Sequence, residues 1–327
     1  MKRREFLTAG TGAGLAGLLG PRLWAQLQAD MAGGPLEPLP RRPLGRTGEL
    51  LSVVGLGGIA VMGGSQEEAD RTVAEALDRG LNYVDVAPSY GDGEAEQKLG
   101  PALKGRRDRV FLACKTTARD REGAARELRT SLARLGTDHF DLYQMHALQD
   151  VQRDVAVALG PGGALEAFQE ARTQGLVRFL GFSAHSAEAA LKAIGSGAFD
   201  TLLYPVNVVC HHQGQFDQEV LTQARAKGMG ILALKAMART PWPADGKPGE
   251  RAYPKCWYEP ISDPAEAALA LRWTLGQGVT AAVPPGDVRL FRIAMNVAAK
   301  DRPLAPEEEQ ALAQWAAQRL PIFRRPQ

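Results

Sequence analysis

Residues 82–100 read NYVDVAPSYGDGEAEQKLG, and the reading of this stretch decides the fold. A short apolar strand, NYVDVA, carries Asp85, and Tyr90 follows five residues on. An unpaired carboxylate or phenol in a core costs free energy, so both side chains need partners or a task. Just upstream lies Gly80. The order it punctuates, amphipathic helix then glycine then short apolar strand, returns at Gly136-TDHFDLYQMH, Gly175-LVRFLGFS, Gly228-MGILALK and Gly278-VTAAVP. Glycine suits the residue after a helix because the chain there often turns left-handed, at a cost to any side chain with a Cβ.

Between these strands, Ala69/Val73/Ala76/Leu77, Ala124/Leu128/Leu132/Leu135 and Ala267/Leu271/Leu275 have helical spacing with charges opposite. Asp263-Pro264-x-Glu266 supplies the cap, the first-turn proline and the acidic residue of a further helix start. Alternating strand and helix implies a parallel sheet, either doubly wound or closed. Strands at 52–57, 81–87, 110–115, 139–146, 177–183, 201–206, 229–235 and 279–284 give the number a closed barrel needs. Asp85, Lys115, His146, Ser183, Asn207 and Lys235 each fall near the C-terminal edge of a different strand. An open sheet gathers such residues at one switch point, whereas a barrel sets them around one mouth. The prediction is an α/β fold: a (β/α)8 TIM barrel of parallel strands, a single domain over residues 43–320. Strand alternation then sends Asp85, Tyr83, Phe111, Ala113, Lys115, Gln144 and His146 inward, and Val84, Val86 and Cys114 toward the helices.

The chain has 327 residues and a formal net charge of +2, which gives no electrostatic reason to expect nucleic acid; a small molecule is the expected partner. Cys114, Cys210 and Cys256 contain no C-x-x-C pair, so neither a disulfide framework nor a structural zinc site is indicated. Adjacent histidines in Cys210-His211-His212 cannot easily converge on one ion, so no metal is expected there. The opening MKRREFLTAGTGAGLAGLLGPRLWAQ reads instead as a targeting segment, with residues 1–30 as signal and linker. Arg3-Arg4 followed by Phe6 and Leu7 resembles the bacterial twin-arginine export signal, which implies the export machinery as a partner and a periplasmic location. The rival is an uncleaved signal anchored in the inner membrane; the run from 6 to 20 is short for a bilayer span, and none is expected in the mature protein. Gly12, Gly14 and Gly17 match G-x-G-x-x-G, but no strand precedes them, so they are not read as a dinucleotide site.

A phenol, an ammonium, an imidazole and a carboxylate at one barrel mouth suit proton delivery to a carbonyl oxygen. Tyrosine alone is a weak acid, with a reference pKa of about 10. Lys115 beside Tyr90 is expected to lower that pKa, Asp85 to hold the lysine charged, and His146 to donate a hydrogen bond to the carbonyl. VDVAPSYG, FLACKT and LYQMH, in that order on successive strands, together with PLGRTGELLSVVGLGG and LVRFLGFSAHS, resemble the aldo-keto reductases over about residues 43 to 300.

That resemblance implies a barrel using NADPH or NADH, hydride transfer between an aldehyde or ketone, possibly sugar-like, and an alcohol, and the catalytic tetrad Asp85, Tyr90, Lys115 and His146. It also implies that Ser183 bonds the nicotinamide carboxamide. The family commonly follows that serine with Asn, where this chain has Ala184, and Leu203 stands where a Gln often completes the site; Asn207 is the candidate to compensate. Lys235 is a candidate for the pyrophosphate. Gly286, Arg292 and Asn296 match the family's adenosine-phosphate segment, although Pro285-Gly286 replaces the Lys-Ser pair often seen there; NADP(H) is favoured over NAD(H). The segments 147–162 and 236–263 are expected to wall the pocket. Two other readings stand beside carbonyl reduction: a closed redox cycle with tightly retained nucleotide acting on sugars, and a nucleotide-binding sensor or interaction subunit with little turnover.

Overall fold

The computed structural model describes residues 14–32, 37–244, 246–300 and 302–326; Arg3, Arg4, Phe6, Leu7 and Gly12 of the targeting motif lie outside them. Eight parallel strands form one sheet: β1 (Leu56–Gly57), β2 (Tyr83–Asp85), β3 (Phe111–Thr116), β4 (Phe140–Leu148), β5 (Val177–Ala184), β6 (Thr201–Pro205), β7 (Gly230–Leu234) and β8 (Ala281–Val283). Each strand lies beside its predecessor in the chain, and the two ends of the sheet meet through a parallel bridge between Val54 and Ala282. The sheet therefore curls into the expected barrel. Its first strand is shorter than the 52–57 predicted, because Leu50–Ser52 pairs antiparallel with Arg41–Pro43 in a hairpin.

That hairpin stoppers the N-terminal end of the barrel. Leu44 and Leu51 join Tyr83, Phe111, Ala113, Leu142, Leu203, Leu232, Ala281 and Val283 in one interior cluster. The fit is close: a Cβ added at Gly230 would lie 2.4 Å from Leu44 Cδ1. Val84, Val86, Leu112, Cys114 and Tyr143 belong to the separate layer between strands and helices, so the predicted alternation holds on β2, β3 and β4. The predicted helix-to-strand glycine is left-handed in the structure, with Gly80 at φ 81° and Gly136 at 61°.

The helix Pro264–Gly276 starts as predicted, with Asp263 Oδ1 accepting from the Ala265 and Glu266 amides at 3.0 and 2.9 Å. The expected polar face does not survive: every residue from Ala265 to Leu275 is buried, including the charged Glu266 and Arg272. Glu266 pairs with Arg239, and Arg272 with Glu308 at 2.6 Å. The reason is a second helical layer. Leu15–Ala32, kinked at Gly20-Pro21, and Pro306–Ala317 both pack on this helix. Leu15 and Leu27 are buried, and Asp30 pairs with Arg302 at 3.0 Å. The helix Leu15–Ala32, which overlaps the 1–30 expected to be signal and linker, is thus docked on the barrel's helical layer. Among the described residues no helix is long and apolar enough to cross a membrane.

Candidate active site

At the C-terminal ends of β2 and β3, Asp85 and Lys115 are each 1% exposed, so neither charge has water to fall back on. Their side chains form a salt bridge between Lys115 Nζ and Asp85 Oδ1. Lys115 Nζ also donates to the Val86 carbonyl at 3.1 Å and to Tyr90 Oη at 3.3 Å. An ammonium has three protons, and these three acceptors use them all. Because the phenol oxygen accepts from Lys115, its own proton is left to point elsewhere. The second oxygen of Asp85 accepts from Tyr83 Oη at 3.2 Å and Gln144 Nε2 at 3.1 Å.

The electrostatics correct one expectation. Burial raises the Tyr90 pKa; Lys115 pulls it down and Asp85 pushes it up again, and the net direction is upward, so the phenol holds its proton. Burial works against the Lys115 ammonium, but Asp85 and then Tyr90 outweigh it and lift its pKa above the ordinary value. Lys115 moderates the effect of burial on the phenol without cancelling it.

His146 reaches the same place by a backbone irregularity. The β4–β5 register slips by one residue between Met145 and Leu148, and Ala147 is left-handed at φ 54°. This is a bulge, which re-aims the side chain beside it. The ring lies edge-on to Tyr90 with centroids 5.8 Å apart, and Nδ1 is 3.4 Å from Ser89 Oγ. Burial first, then Lys115, His185, Arg119 and Lys235, drive its pKa down to about 2, so the imidazole is neutral at physiological pH. A neutral ring that accepts from Ser89 at Nδ1 carries its proton on Nε2.

The cofactor candidates divide. Ser183 Oγ accepts the Ala147 amide at 2.7 Å, the N–H that the bulge frees, and keeps its hydroxyl proton to donate. Leu203 sits beside it in register, inside the barrel. Asn207, the candidate to compensate, caps the helix Val208–Gly214 with its Oδ1 through the Cys210 amide at 2.9 Å, and its Nδ2 faces Cys210 Sγ at 3.3 Å. Gly286 is needed for close packing, since a Cβ there would lie 2.2 Å from Ile59 Cγ2. Arg292 is held by Glu75 at 2.8 and 2.9 Å, and Asn296 Oδ1 accepts from Arg79 at 2.8 Å. Both are turned toward the helix Gln66–Asp78. Lys235 ends β7 with a left-handed backbone and its Nζ over Trp257 and Tyr258.

A cleft of about 550 Å³ lies apart from the tetrad, lined by Met62, Arg71, Lys255, Arg289 and Arg292 among others. The segment 236–263 reaches this cleft through Lys255, which donates to the carbonyls of Ile59, Ala60 and Met62 at 3.3, 3.1 and 3.1 Å. Gln144 and Tyr83, which steady Asp85, were legible from alternation as inward-facing. Ser89 and Phe323, the latter stacked on His185 at 5.0 Å, had no sequence signal. His211 bonds Asp217 at 3.0 Å, and among the described residues no cluster could hold a metal.

Residues 53–251 match the profile of the Aldo/keto reductase family. The chain is 30% identical over 210 residues to the aldo-keto reductase YhdN of Bacillus subtilis, the match covering 59% of this chain and 60% of that protein. It is 27% identical over 328 residues to the aldo-keto reductase str7 of Strobilurus tenacellus, covering 85% and 92%. In fold it resembles the holo form of the aldo-keto reductase AKR11C1 from Bacillus halodurans, with a TM-score of 0.67 at 23% identity, covering 88% of this chain and all of that one. This chain belongs to the aldo/keto reductase family.

Proposed function

We propose that the protein is a nicotinamide-dependent oxidoreductase that interconverts an aldehyde or ketone with an alcohol, with Tyr90 as the general acid. The observation that carries this reading is the saturation of Lys115: with all three of its protons assigned, the Tyr90 proton is the one left to give. The carbonyl oxygen would accept from Tyr90 and from His146 Nε2, which orients it and stabilises the charge developing on it. Lys115 then stabilises the phenolate that remains, and Asp85 holds Lys115 charged and in place. In the alcohol-forming direction a reduced nicotinamide, when bound, supplies the hydride to the carbonyl carbon.

The residues present fit such a group. The Ser183 hydroxyl proton can meet a carboxamide oxygen, and Arg71, Arg289 and Arg292, now paired with Glu67, Asp287 and Glu75, line a separate cleft where a phosphate would compete for them. Those cations also support NADP(H) over NAD(H), a preference decided by measuring both dissociation constants side by side. The geometry favours neither a closed redox cycle nor a nucleotide-holding subunit over ordinary turnover. Export through the twin-arginine route is supported by the KRREFL motif alone; localisation of the full-length protein in wild-type and export-deficient cells tests it.

Tyr90→Phe tests the central assignment. Turnover on a verified carbonyl substrate should fall about 10²- to 10⁴-fold while nucleotide binding persists. A near-normal kcat would remove Tyr90 from the proton-donor role.

A further inference from the structure

Cations around the barrel mouth are mostly occupied. Arg119 pairs with Asp154 at 3.0 Å, Arg289 with Asp287 at 2.9 Å and Arg292 with Glu75 at 2.8 Å, and Lys255 is spent on three backbone carbonyls. Lys235 differs. Among the described residues no carboxylate lies within ion-pair distance of it, and its close partners are two ring faces, Trp257 at 5.5 Å and Tyr258 at 5.3 Å. Its backbone is left-handed at φ 66°, a conformation that non-glycine residues rarely take and that here sets the side chain at the end of β7.

Following the parallel strand β7, Lys235 stands at the same end of the barrel as Asp85, Lys115 and His146, and the electrostatics agree. Lys235 lowers the pKa of His146, which faces Tyr90, and that of His185. Burial, partly countered by Cys256, brings Lys235 itself down to about 8, with Lys115 pushing the same way and Asp85 opposing. The only nearby carboxylate in that set, Asp85, is already claimed by Lys115. Around Lys235 the wall is aromatic: Trp257, half exposed, meets Phe323 edge-on at 5.6 Å, and Phe323 stacks on His185. The rings occupy part of the ammonium's surroundings and leave its donors without a protein acceptor, at the end of the barrel that also carries the proton donor. A phosphate has another place to go, the separate cleft, where it would compete with Glu67, Asp287 and Glu75 for Arg71, Arg289 and Arg292.

We propose that Lys235 is a specificity-determining residue that holds a carboxylate of the carbonyl substrate, so that the site takes an oxo acid or aldehyde acid in preference to its neutral counterpart. This rests on the carbonyl-oxidoreductase reading above and names the substrate class of that site. It also moves Lys235 from the nucleotide's pyrophosphate, where the sequence placed it, to the substrate.

The test uses the full-length protein, saturating nucleotide and a matched pair of probes, 4-carboxybenzaldehyde and benzaldehyde. Wild type should favour the acid in kcat/KM. Lys235→Met keeps most of the stem that packs on the rings, and should lower the acid-to-neutral ratio by about 10- to 100-fold, the range of a lost charge-assisted hydrogen bond. Lys235→Arg should restore part of it. The ratio matters because any change in His146 acts on both aldehydes and cancels. An unchanged ratio overturns the proposal. So does a loss shared by both aldehydes together with weaker binding of NADPH and NADH alike, which would return Lys235 to the pyrophosphate. Benzoate binding to the nucleotide-loaded protein, by calorimetry, separates the two readings. If neither aldehyde turns over but benzoate binds tenfold or more tightly to wild type than to Lys235→Met, the carboxylate site stands and the reductase reading fails. Equal benzoate affinities overturn the carboxylate site.

Discussion

Lys115→Met exposes how stability and chemistry share one pair of charges. The substitution fills much of the lysine's volume but strands Asp85, which is buried, with only the Tyr83 and Gln144 hydrogen bonds to hold it. Breaking a buried ion pair by removing one partner costs about 3–5 kcal/mol. The two remaining bonds, at 3.2 and 3.1 Å, place the expected loss toward the lower end, about 3 kcal/mol. Adding Asp85→Asn removes the stranded charge and keeps an acceptor for Tyr83, so the double variant should recover at least half of the loss. Turnover should not recover, because the ammonium beside the Tyr90 oxygen is still missing. The folded pKa of Lys115 is raised, so the stability it contributes is complete below the ordinary value of 10.5 and declines only as pH rises through the folded value. The contribution of the Lys115 ammonium to wild-type stability should therefore be constant from about pH 6 to 9, and the destabilisation of Lys115→Met should shrink at lower pH as the stranded carboxylate takes up a proton. Urea denaturation of wild type, both single variants and the double variant, with steady-state rates on the same samples, gives all of these quantities. A double variant as unstable as Lys115→Met would show that the stranded carboxylate was not the cost.

His146 and His185 have pKa values depressed mainly by burial, to about 2 and about 4, so they are neutral when folded and take up protons on unfolding below about 6.5. Their contribution is present above that value and is lost as pH falls, by about 1.4 kcal/mol per pH unit for each; His146→Asn should flatten the decline between pH 6.5 and 4.5 by about that amount, and equal slopes in urea titrations would show that His146 is not held neutral. Ser183→Ala should leave the Ala147 amide unpaired at a cost of about 1–3 kcal/mol and speed its hydrogen exchange; an unchanged exchange rate would mean that the bulge does not depend on this hydroxyl. Removing residues 1–32 should strip Leu15 and Leu27 from the outer face of the Pro264–Gly276 helix, at about 1.5–3 kcal/mol for each leucine. A truncated protein as stable as the full chain would show that the helix contributes no net seal.

What the sequence revealed and what it concealed follow from the range of the signal. Strand order and the tetrad were legible because each rests on local chemistry: a glycine after a helix, a two-residue alternation, and a polar side chain at the end of an apolar strand. Asp85, Tyr90, Lys115 and His146 do meet, although His146 arrives through a bulge that alternation does not encode. Asn207, Arg292 and Asn296 show where local chemistry stops being informative. Each stands at a position whose residue type suits a ligand, but a cap, Glu75 and Arg79 take their polar atoms, and only the packing of distant segments reveals those partners. The sign of the Tyr90 shift was also beyond sequence, because it depends on how far burial outweighs a cation 3.3 Å away.

The Pro264–Gly276 helix shows how a pattern can be present and still be misread. Its apolar stripe at Ala267, Leu271 and Leu275 was visible, with the charges expected on the opposite face. Read all round, however, the run AEAALALRWTL carries only two charges, Glu266 and Arg272, and a helix apolar on nearly every side needs a cover on nearly every side. Leu15–Ala32 supplies part of that cover, and Arg272 meets Glu308 from the helix Pro306–Ala317. The same geometry constrains the proposed export. Leu23-Trp24-Ala25 is a loose match to the small-x-small pattern of a signal cleavage site; cleavage there would cut through the docked helix, remove Leu15 and leave Leu27 and Asp30 on a short stub. An exported protein with this architecture must either keep the helix or tolerate an apolar outer face, so the N-terminal residue of the protein recovered from cells determines which surface it presents.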